Sequence, residues 1–302
     1  MAERFAAIDI GTNTILMLIA EFQNREKFQV LTDEHSLARL GQGIGSNQKR
    51  ILDEAIDRAK KILINYKNIC NKYQVDKIYA VATSAMRDAE NREKVKNIFE
   101  EILNTEIEII SGEKEARFSF SGAIEDENDS VVIDIGGGST EIIFGNKEKI
   151  KERQSLQIGA VRLKEQYFLD NPVDKKHLKN AENAVIEELG LINNVHPFTK
   201  VYAVAGTPTT LAGIFMNLKE FDRNFIQGYQ MDIVDIRLLF ESFCKMSVEE
   251  IINKYSVNPN RADVITAGTL ILIKILEHIK STKCIASTKG LRYGMMKYLI
   301  SE

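Results

Sequence analysis

One short turn occurs twice in this chain of 302 residues and constrains its fold more than any other feature. The stretch IDIGTNT covers residues 8–14, and the stretch IDIGGGST covers residues 133–140. Apolar runs typical of β-strands flank both stretches. Because the two copies are separated by the length of a domain, they indicate that one structural unit has been duplicated.

The segments around each turn follow one order. Three predicted strands come first, followed by helix, strand, helix and strand. In the first copy we predict a third strand over residues 28–40 and a long helix over residues 48–73. This order is typical of an α/β fold with mixed sheets. We place the first domain at residues 1–125 and the second at residues 126–289.

Composition limits the class of protein. Hydrophobic residues make up 44% and charged residues 27% of the chain, as in an ordinary globular protein. The net charge of -3 gives no overall attraction to nucleic acid or to an anionic membrane, so an anion site must be local. Cys70, Cys244 and Cys284 are odd in number and lack metal-ligand spacing, which favours reduced thiols. With no leader-like N-terminus, we expect a cytoplasmic protein.

The residues of the two turns suit a phosphate chain. Glycines permit tight turns and leave backbone N–H groups accessible to an anion. Asp9 and Asp134 precede the turns, and carboxylates can hold a divalent cation. A third turn, at Gly206 and Thr207, opens a predicted helix, whose N-terminus also favours an anion. The phosphate donors predicted in the first two turns are Gly11, Thr12, Asn13, Gly137, Gly138 and Ser139.

A single glycine-rich hairpin more often has a structural role alone than a functional one. Two such turns, each preceded by an aspartate and each at the first hairpin of a repeat, favour a functional interpretation. We therefore predict that the two turns face one another across a cleft and bind one phosphate chain.

Several stretches resemble known motifs. AIDIGTNT, IDIGGGSTE, AVAGTPTTLAG and STKGLRYG resemble the phosphate, adenosine-side and connecting motifs of the actin, sugar-kinase and heat-shock-chaperone superfamily. Within it, ATSAMRDAEN, SGEKEAR and IDIGGGSTE resemble the exopolyphosphatase/guanosine pentaphosphate phosphatase family, over residues 7–294. This resemblance implies two ribonuclease-H-like, actin-like ATPase domains with an interdomain cleft. It also implies the short, two-domain form of the family, with a C-terminal helix at residues 290–302 that returns to the first domain.

The resemblance assigns roles to named residues. Glu115, in SGEKEAR, matches the catalytic base of the family, while Glu113 beside it is expected to face solvent. Arg87 is implied to bind phosphate, and its guanidinium suits two phosphate oxygens. Glu141 is implied to serve the metal or the attacking water. The expected cation is Mg²⁺, and its expected ligands are Asp134, Glu141 and Asp9.

Other positions bear on the substrate. Leu16 stands where many relatives carry a basic or aromatic residue, which argues against nucleotide recognition. Arg261 matches an arginine of relatives that bind guanosine tetraphosphate, which argues for it. Lys289 and Arg292 follow the last predicted strand, and they either add positive charge to the site or are solvated.

We therefore expect an exopolyphosphatase, which hydrolyses the terminal phosphoanhydride of inorganic polyphosphate with the help of a metal. Hydrolysis of guanosine pentaphosphate at its 5′ end is the alternative in the same class. A kinase of the superfamily and a binding module that senses guanosine tetraphosphate are alternatives from other classes. The expected partners are polyphosphate and these guanosine polyphosphates, without nucleic acid or membrane, and a homodimer is left open.

Overall fold

The computed structural model describes residues 3–23, 27–42, 49–124, 127–168, 172–192 and 195–301. The chain divides into two compact units. Unit 1 comprises residues 1–122 together with 291–302, and unit 2 comprises residues 123–290. No helix in the described ranges combines the length and the apolar composition that a membrane span needs.

Among its described residues, unit 1 contains a five-stranded sheet with the strand order β3-β2-β1-β4-β5. Its strands are β1 (Glu3–Ile10), β2 (Thr14–Phe22), β3 (Phe28–Leu37), β4 (Lys77–Ala82) and β5 (Ile107–Ile109). Its helices are α1 (Asp53–Lys72), α2 (Ser84–Asp88), α3 (Arg92–Leu103), α4 (Gly112–Ala123) and, from the C-terminus, α12 (Leu291–Ser301).

Unit 2 contains a six-stranded sheet in its described residues, with the order β10-β11-β9-β6-β7-β8. Its strands are β6 (Ser130–Ile135), β7 (Thr140–Gly145), β8 (Ile150–Leu156), β9 (Lys200–Val204), β10 (Gln230–Asp232) and β11 (Lys283–Ala286). Its helices are α5 (Ala160–Tyr167), α6 (Lys175–Leu189), α7 (Gly206–Phe215), α8 (Arg223–Ile226), α9 (Ile233–Cys244), α10 (Val248–Tyr255) and α11 (Pro259–His278).

The two sheets share one topology, which confirms the predicted α/β class with mixed sheets. In each sheet the first three strands are antiparallel neighbours, and the first strand is parallel to the fourth. The first hairpins also have the same register, since Ile10 pairs with Ile15 and Ile135 pairs with Thr140. Unit 2 differs by the added edge strand β10, which is antiparallel to β11.

Each unit buries its own apolar core. In unit 1, one face of the sheet packs with residues of α1 and α3, including Leu63 and Phe99. The other face packs with α12, which contacts β1 and β2 and contributes Met295 and Met296. In unit 2, α11 is buried along most of its length and packs against α5, α6, α7 and α9. Both faces of the sheet in unit 1 are therefore apolar, because successive residues of a strand point to opposite faces.

Several boundaries differ from the sequence predictions. Helix α1 begins at Asp53, because the backbone of Ile51 is paired with the side-chain amide of Asn91 through two 3.0 Å hydrogen bonds. The predicted start at Gln48 lies outside the described residues. Strand β3 ends at Leu37, because the next two N–H groups both donate to the Asn13 carbonyl. The short elements α2, α8 and β10 were not predicted.

The three cysteines form no disulfide. Burial raises the pKa of Cys70 to about 11 and the pKa of both Cys244 and Cys284 to about 12. Because the thiolate is the reactive species, we expect almost no reaction of the folded protein with a thiol reagent at pH 8. All three thiols should react quickly in denaturant, and a colorimetric thiol assay measures both. Rapid labelling of the folded protein would contradict this expectation.

Candidate active site

The glycine-rich turn of unit 2 joins β6 to β7. The Gly136 N–H donates to the Ser139 carbonyl at 3.0 Å and closes the turn. The carbonyls of Gly136 and Gly137 accept hydrogen bonds of 2.9–3.0 Å from the first three residues of α5. The N–H groups of Gly137 and Gly138 donate to no acceptor among the described residues. The turn thus directs its carbonyls to α5, and its two remaining N–H groups have the chemistry to bind an anion.

Gly159, directly before α5, lies against this turn. A Cβ at Gly159 would lie 2.5 Å from the carbonyl carbon and oxygen of Gly137 and 2.6 Å from the nitrogen of Gly138. Any larger residue would therefore displace the turn. Gly159 was not predicted as a site residue; the signal in the sequence was a glycine just before a predicted helix.

The turn of unit 1 is built in the same way. The Gly11 N–H donates to the Thr14 carbonyl at 2.9 Å. The carbonyls of Thr12 and Asn13 accept hydrogen bonds of 2.9–3.0 Å from residues 38–41, where unit 2 uses α5. Within the described ranges, the N–H groups of Thr12 and Asn13 donate to no acceptor. The duplicated turns thus share the hydrogen bond that closes them, while the second accepting carbonyl is Asn13 in unit 1 and Gly136 in unit 2.

A row of polar residues crosses three strands of unit 2. Asp134 on β6 is in register with Glu141 on β7, and Glu141 is in register with Ser155 on β8. Cross-strand partners lie on one face with their Cβ atoms about 4.5–5.5 Å apart, so the two carboxylates are neighbours. Glu141 is only 1% exposed, and its Oε1 accepts hydrogen bonds of 2.9 Å from both Ser139 and Ser155.

The equivalent row in unit 1 lacks the second carboxylate. Asp9 is in register with Leu16, and Leu16 is in register with His35. The Asp9 side chain is buried. Of the two equivalent rows, the row with Asp134 therefore contains a pair of acids, and the row with Asp9 does not.

Glu115 and Arg87 form an ion pair in unit 1. Glu115 lies on the first turn of α4 and is 9% exposed. The Arg87 Nη1 lies 2.5 Å from the Glu115 Oε2 and also donates to the Ile110 carbonyl at 3.0 Å. The residues assigned to phosphate binding and to the base are thus in direct contact, which the sequence did not predict.

The start of α4 explains the different positions of its two acids. The Ser111 hydroxyl accepts the Lys114 N–H at 3.2 Å, so Ser111 caps the helix. Glu113 is exposed and pairs with Arg117 at 3.2 Å. Glu113 and Glu115 therefore stand on different sides of one helix turn, with Glu115 turned inward.

The third turn brings two separately predicted residues together. A Cβ at Gly206 would lie 2.3 Å from the Arg261 Nη1, so the guanidinium packs on this glycine. Ala205, just before the turn, has a φ of 73°, a backbone conformation that costs energy for a residue with a Cβ. The Thr207 side chain lies against Gly268 of α11. Arg261 thus places a positive charge against this turn.

Arg292 has a different role from either one suggested by the sequence. It is 6% exposed, and its Nη2 lies 2.9 Å from the Asp33 Oδ1 and 3.2 Å from the His35 Nε2. Arg292 is therefore part of a buried ion pair that ties α12 to β3, and it is not solvated.

The donor set fits a magnesium ion. In the described part of the chain, no three Asp, Glu, His or Cys side chains group as a metal site. Mg²⁺ commonly uses one or two carboxylates and completes its shell with water and substrate phosphates. The adjacent acids Asp134 and Glu141 match that requirement.

Comparison with known proteins places the chain in a family. Residues 18–301 match the Ppx/GppA phosphatase family. Exopolyphosphatase 2 of Mycobacterium tuberculosis is 30% identical over 292 residues, which cover 92% of this chain and 91% of that protein. A bifunctional 3-dehydroquinate synthase/phosphatase of Fusobacterium nucleatum is 34% identical over 293 residues, 90% of this chain. The chain spans 43% of the length of that bifunctional relative.

A solved structure agrees with these matches. The crystal structure of the Aquifex aeolicus member of the Ppx/GppA family superposes with a TM-score of 0.84 at 29% identity. The superposition covers 100% of this chain and 98% of the other. From the sequence match over residues 18–301 and the shared fold, the chain belongs to the Ppx/GppA phosphatase family.

Proposed function

We propose that this protein is an exopolyphosphatase, which releases orthophosphate from the end of inorganic polyphosphate. The observation that carries the proposal is the inward-facing Glu115 in contact with Arg87, in a chain that matches nearly the whole of Exopolyphosphatase 2. A carboxylate and a guanidinium side by side can serve a water and a phosphate, the two reactants of this hydrolysis.

Glu115 acts on the water and Arg87 on the terminal phosphate. Phosphoryl transfer needs a water held in line with the phosphorus and a group that takes its proton. A terminal phosphate offers Arg87 two oxygens for bidentate binding, in place of the single Glu115 oxygen that it holds at 2.5 Å. Glu115 is then able to accept the water proton through its Oε2. In this proposal, the ion pair is the arrangement of the two groups before substrate binds.

The two glycine-rich turns and the paired acids Asp134 and Glu141 bind the other phosphates of the polyphosphate. The N–H groups of Gly137 and Gly138 in unit 2, and those of Thr12 and Asn13 in unit 1, serve as phosphate donors. Asp134 and Glu141 would hold Mg²⁺, with Asp9 as the corresponding acid of unit 1. Bound Mg²⁺ neutralises phosphate charge.

Substrate comparison tests the proposal. Phosphate release is measured with Mg²⁺ for short polyphosphate, long polyphosphate, guanosine pentaphosphate and ATP, each as the sole substrate. We expect release from polyphosphate at the highest kcat/KM. Release from guanosine pentaphosphate alone would replace the proposal with the nucleotide activity. Tight binding of guanosine tetraphosphate without turnover of any of these substrates would show a sensing module instead.

Arg87→Ala should reduce kcat/KM for polyphosphate. Loss of a charge-assisted contact to phosphate costs about 1.5–3 kcal/mol, which corresponds to a decrease of about 10- to 150-fold. Arg117→Ala is the matched control, because Arg117 is an exposed arginine paired with Glu113. The control should keep wild-type kinetics. An unchanged kcat/KM for Arg87→Ala, with phosphate release as the measurement, would remove Arg87 from the site.

A further inference from the structure

Ser155 contacts the most buried acid of the candidate site and belongs to none of the motifs. It lies at an exposed position of β8, yet its hydroxyl donates to the Glu141 Oε1 at 2.9 Å. Ser139, in the turn itself, donates to the same oxygen at 2.9 Å. Glu141 is 1% exposed, so its carboxylate depends on these donors from the protein.

We propose that Ser155 is a positioning residue, which fixes the orientation of the Glu141 carboxylate for a divalent cation. This inference rests on the proposed function, because it concerns the cation of that reaction. A carboxylate oxygen has two lone-pair directions, and two hydroxyl donors occupy both of those on Oε1. Without Ser155 the carboxylate loses one of these two contacts.

The duplicated sheet supports this role. In unit 1 the residue in register with Leu16 is His35, where unit 2 has Ser155 in register with Glu141. The serine thus occurs in the sheet that has the glutamate, and the equivalent position of the other sheet has neither. Because Ser155 is exposed, its own burial contributes little to folding, so Ser155→Ala should still fold.

Cation affinity without substrate tests the inference. Mn²⁺ binding is followed by electron paramagnetic resonance for the wild type, Ser155→Ala, Ser155→Thr and Glu141→Gln. Loss of a group that orients a metal ligand typically weakens metal affinity by 10- to 100-fold, and we expect Ser155→Ala to lose about 10-fold. Ser155→Thr keeps the hydroxyl and should stay within about threefold of the wild type. Glu141→Gln should show the larger loss.

Ser242→Ala is the matched control. Ser242 also makes a 2.9 Å hydrogen bond in unit 2, to the Tyr255 hydroxyl, outside the candidate site. Ser242→Ala should keep wild-type Mn²⁺ affinity, and Ser155→Ala should melt within about 4 °C of the wild type. Unchanged Mn²⁺ affinity in Ser155→Ala, failure of Ser155→Thr to restore it, or no Mn²⁺ binding by the wild type would overturn the inference. Weakened Mn²⁺ binding in a protein that hydrolyses no polyphosphate would support the inference while refuting the proposed function.

Discussion

Glu115→Gln is expected to hydrolyse polyphosphate about 10²–10⁴ times more slowly than the wild type, the usual scale for losing a general base. Glutamine keeps the size of the side chain, but its amide does not accept a proton from water. The structure adds an expectation for binding. Because Glu115 pairs with Arg87 at 2.5 Å, loss of its negative charge weakens the pair and favours binding of the guanidinium to phosphate, so KM should fall or stay unchanged. Steady-state phosphate release gives both constants.

Glu113→Gln provides the control on the same helix turn. Glu113 is exposed and pairs with Arg117, so the substitution changes the charge of α4 without touching the inward face. Its kcat should remain within about twofold of the wild type, as for an ordinary surface substitution. If Glu113→Gln were the inactive variant, or if Glu115→Gln turned over normally, the base would be wrongly assigned.

The sequence predicted the fold because local patterns determine most of it. Alternating apolar residues identified the strands, and the two IDIG turns fixed where the first hairpin of each repeat closes. The three missed elements, α2, α8 and β10, have three to five residues, too few for a period of 3.6 or 2 to be visible.

The contacts of the candidate site were less predictable. Motifs identified Arg87 and Glu115 separately, but their ion pair joins residues 28 positions apart. The partner of Arg292 is 259 positions earlier in the chain, so neighbouring residues gave no indication that this arginine is buried. Ser155 has no motif of its own, and its role depends on the register of β7 with β8. Such pairings depend on tertiary packing, which local sequence patterns do not encode.

Gly159→Ala is expected to reduce kcat/KM for polyphosphate by about 10²-fold, the cost of misplacing binding groups by about 1 Å. The φ of Gly159 is -139°, which any residue can adopt, so the requirement for glycine comes from contact alone. The new Cβ would lie 2.5 Å from the Gly137 carbonyl, and the turn has to move away. That movement displaces the N–H groups of Gly137 and Gly138. Overpacking of this kind also costs about 1–3 kcal/mol of stability, which thermal unfolding measures.

Gly213→Ala separates this contact from the general effect of adding a methyl group in unit 2. Gly213 lies inside α7, and a Cβ there would meet no atom within 4 Å. Inside a helix, alanine is more stable than glycine by about 0.5–1 kcal/mol. Gly213→Ala should therefore melt at a slightly higher temperature than the wild type and keep wild-type kinetics. Kinetics are compared at a temperature where both variants are fully folded, so that the loss in Gly159→Ala reports the position of the turn. If Gly159→Ala kept the wild-type kcat/KM while losing stability, the turn would tolerate displacement, and its N–H groups would not be the phosphate donors.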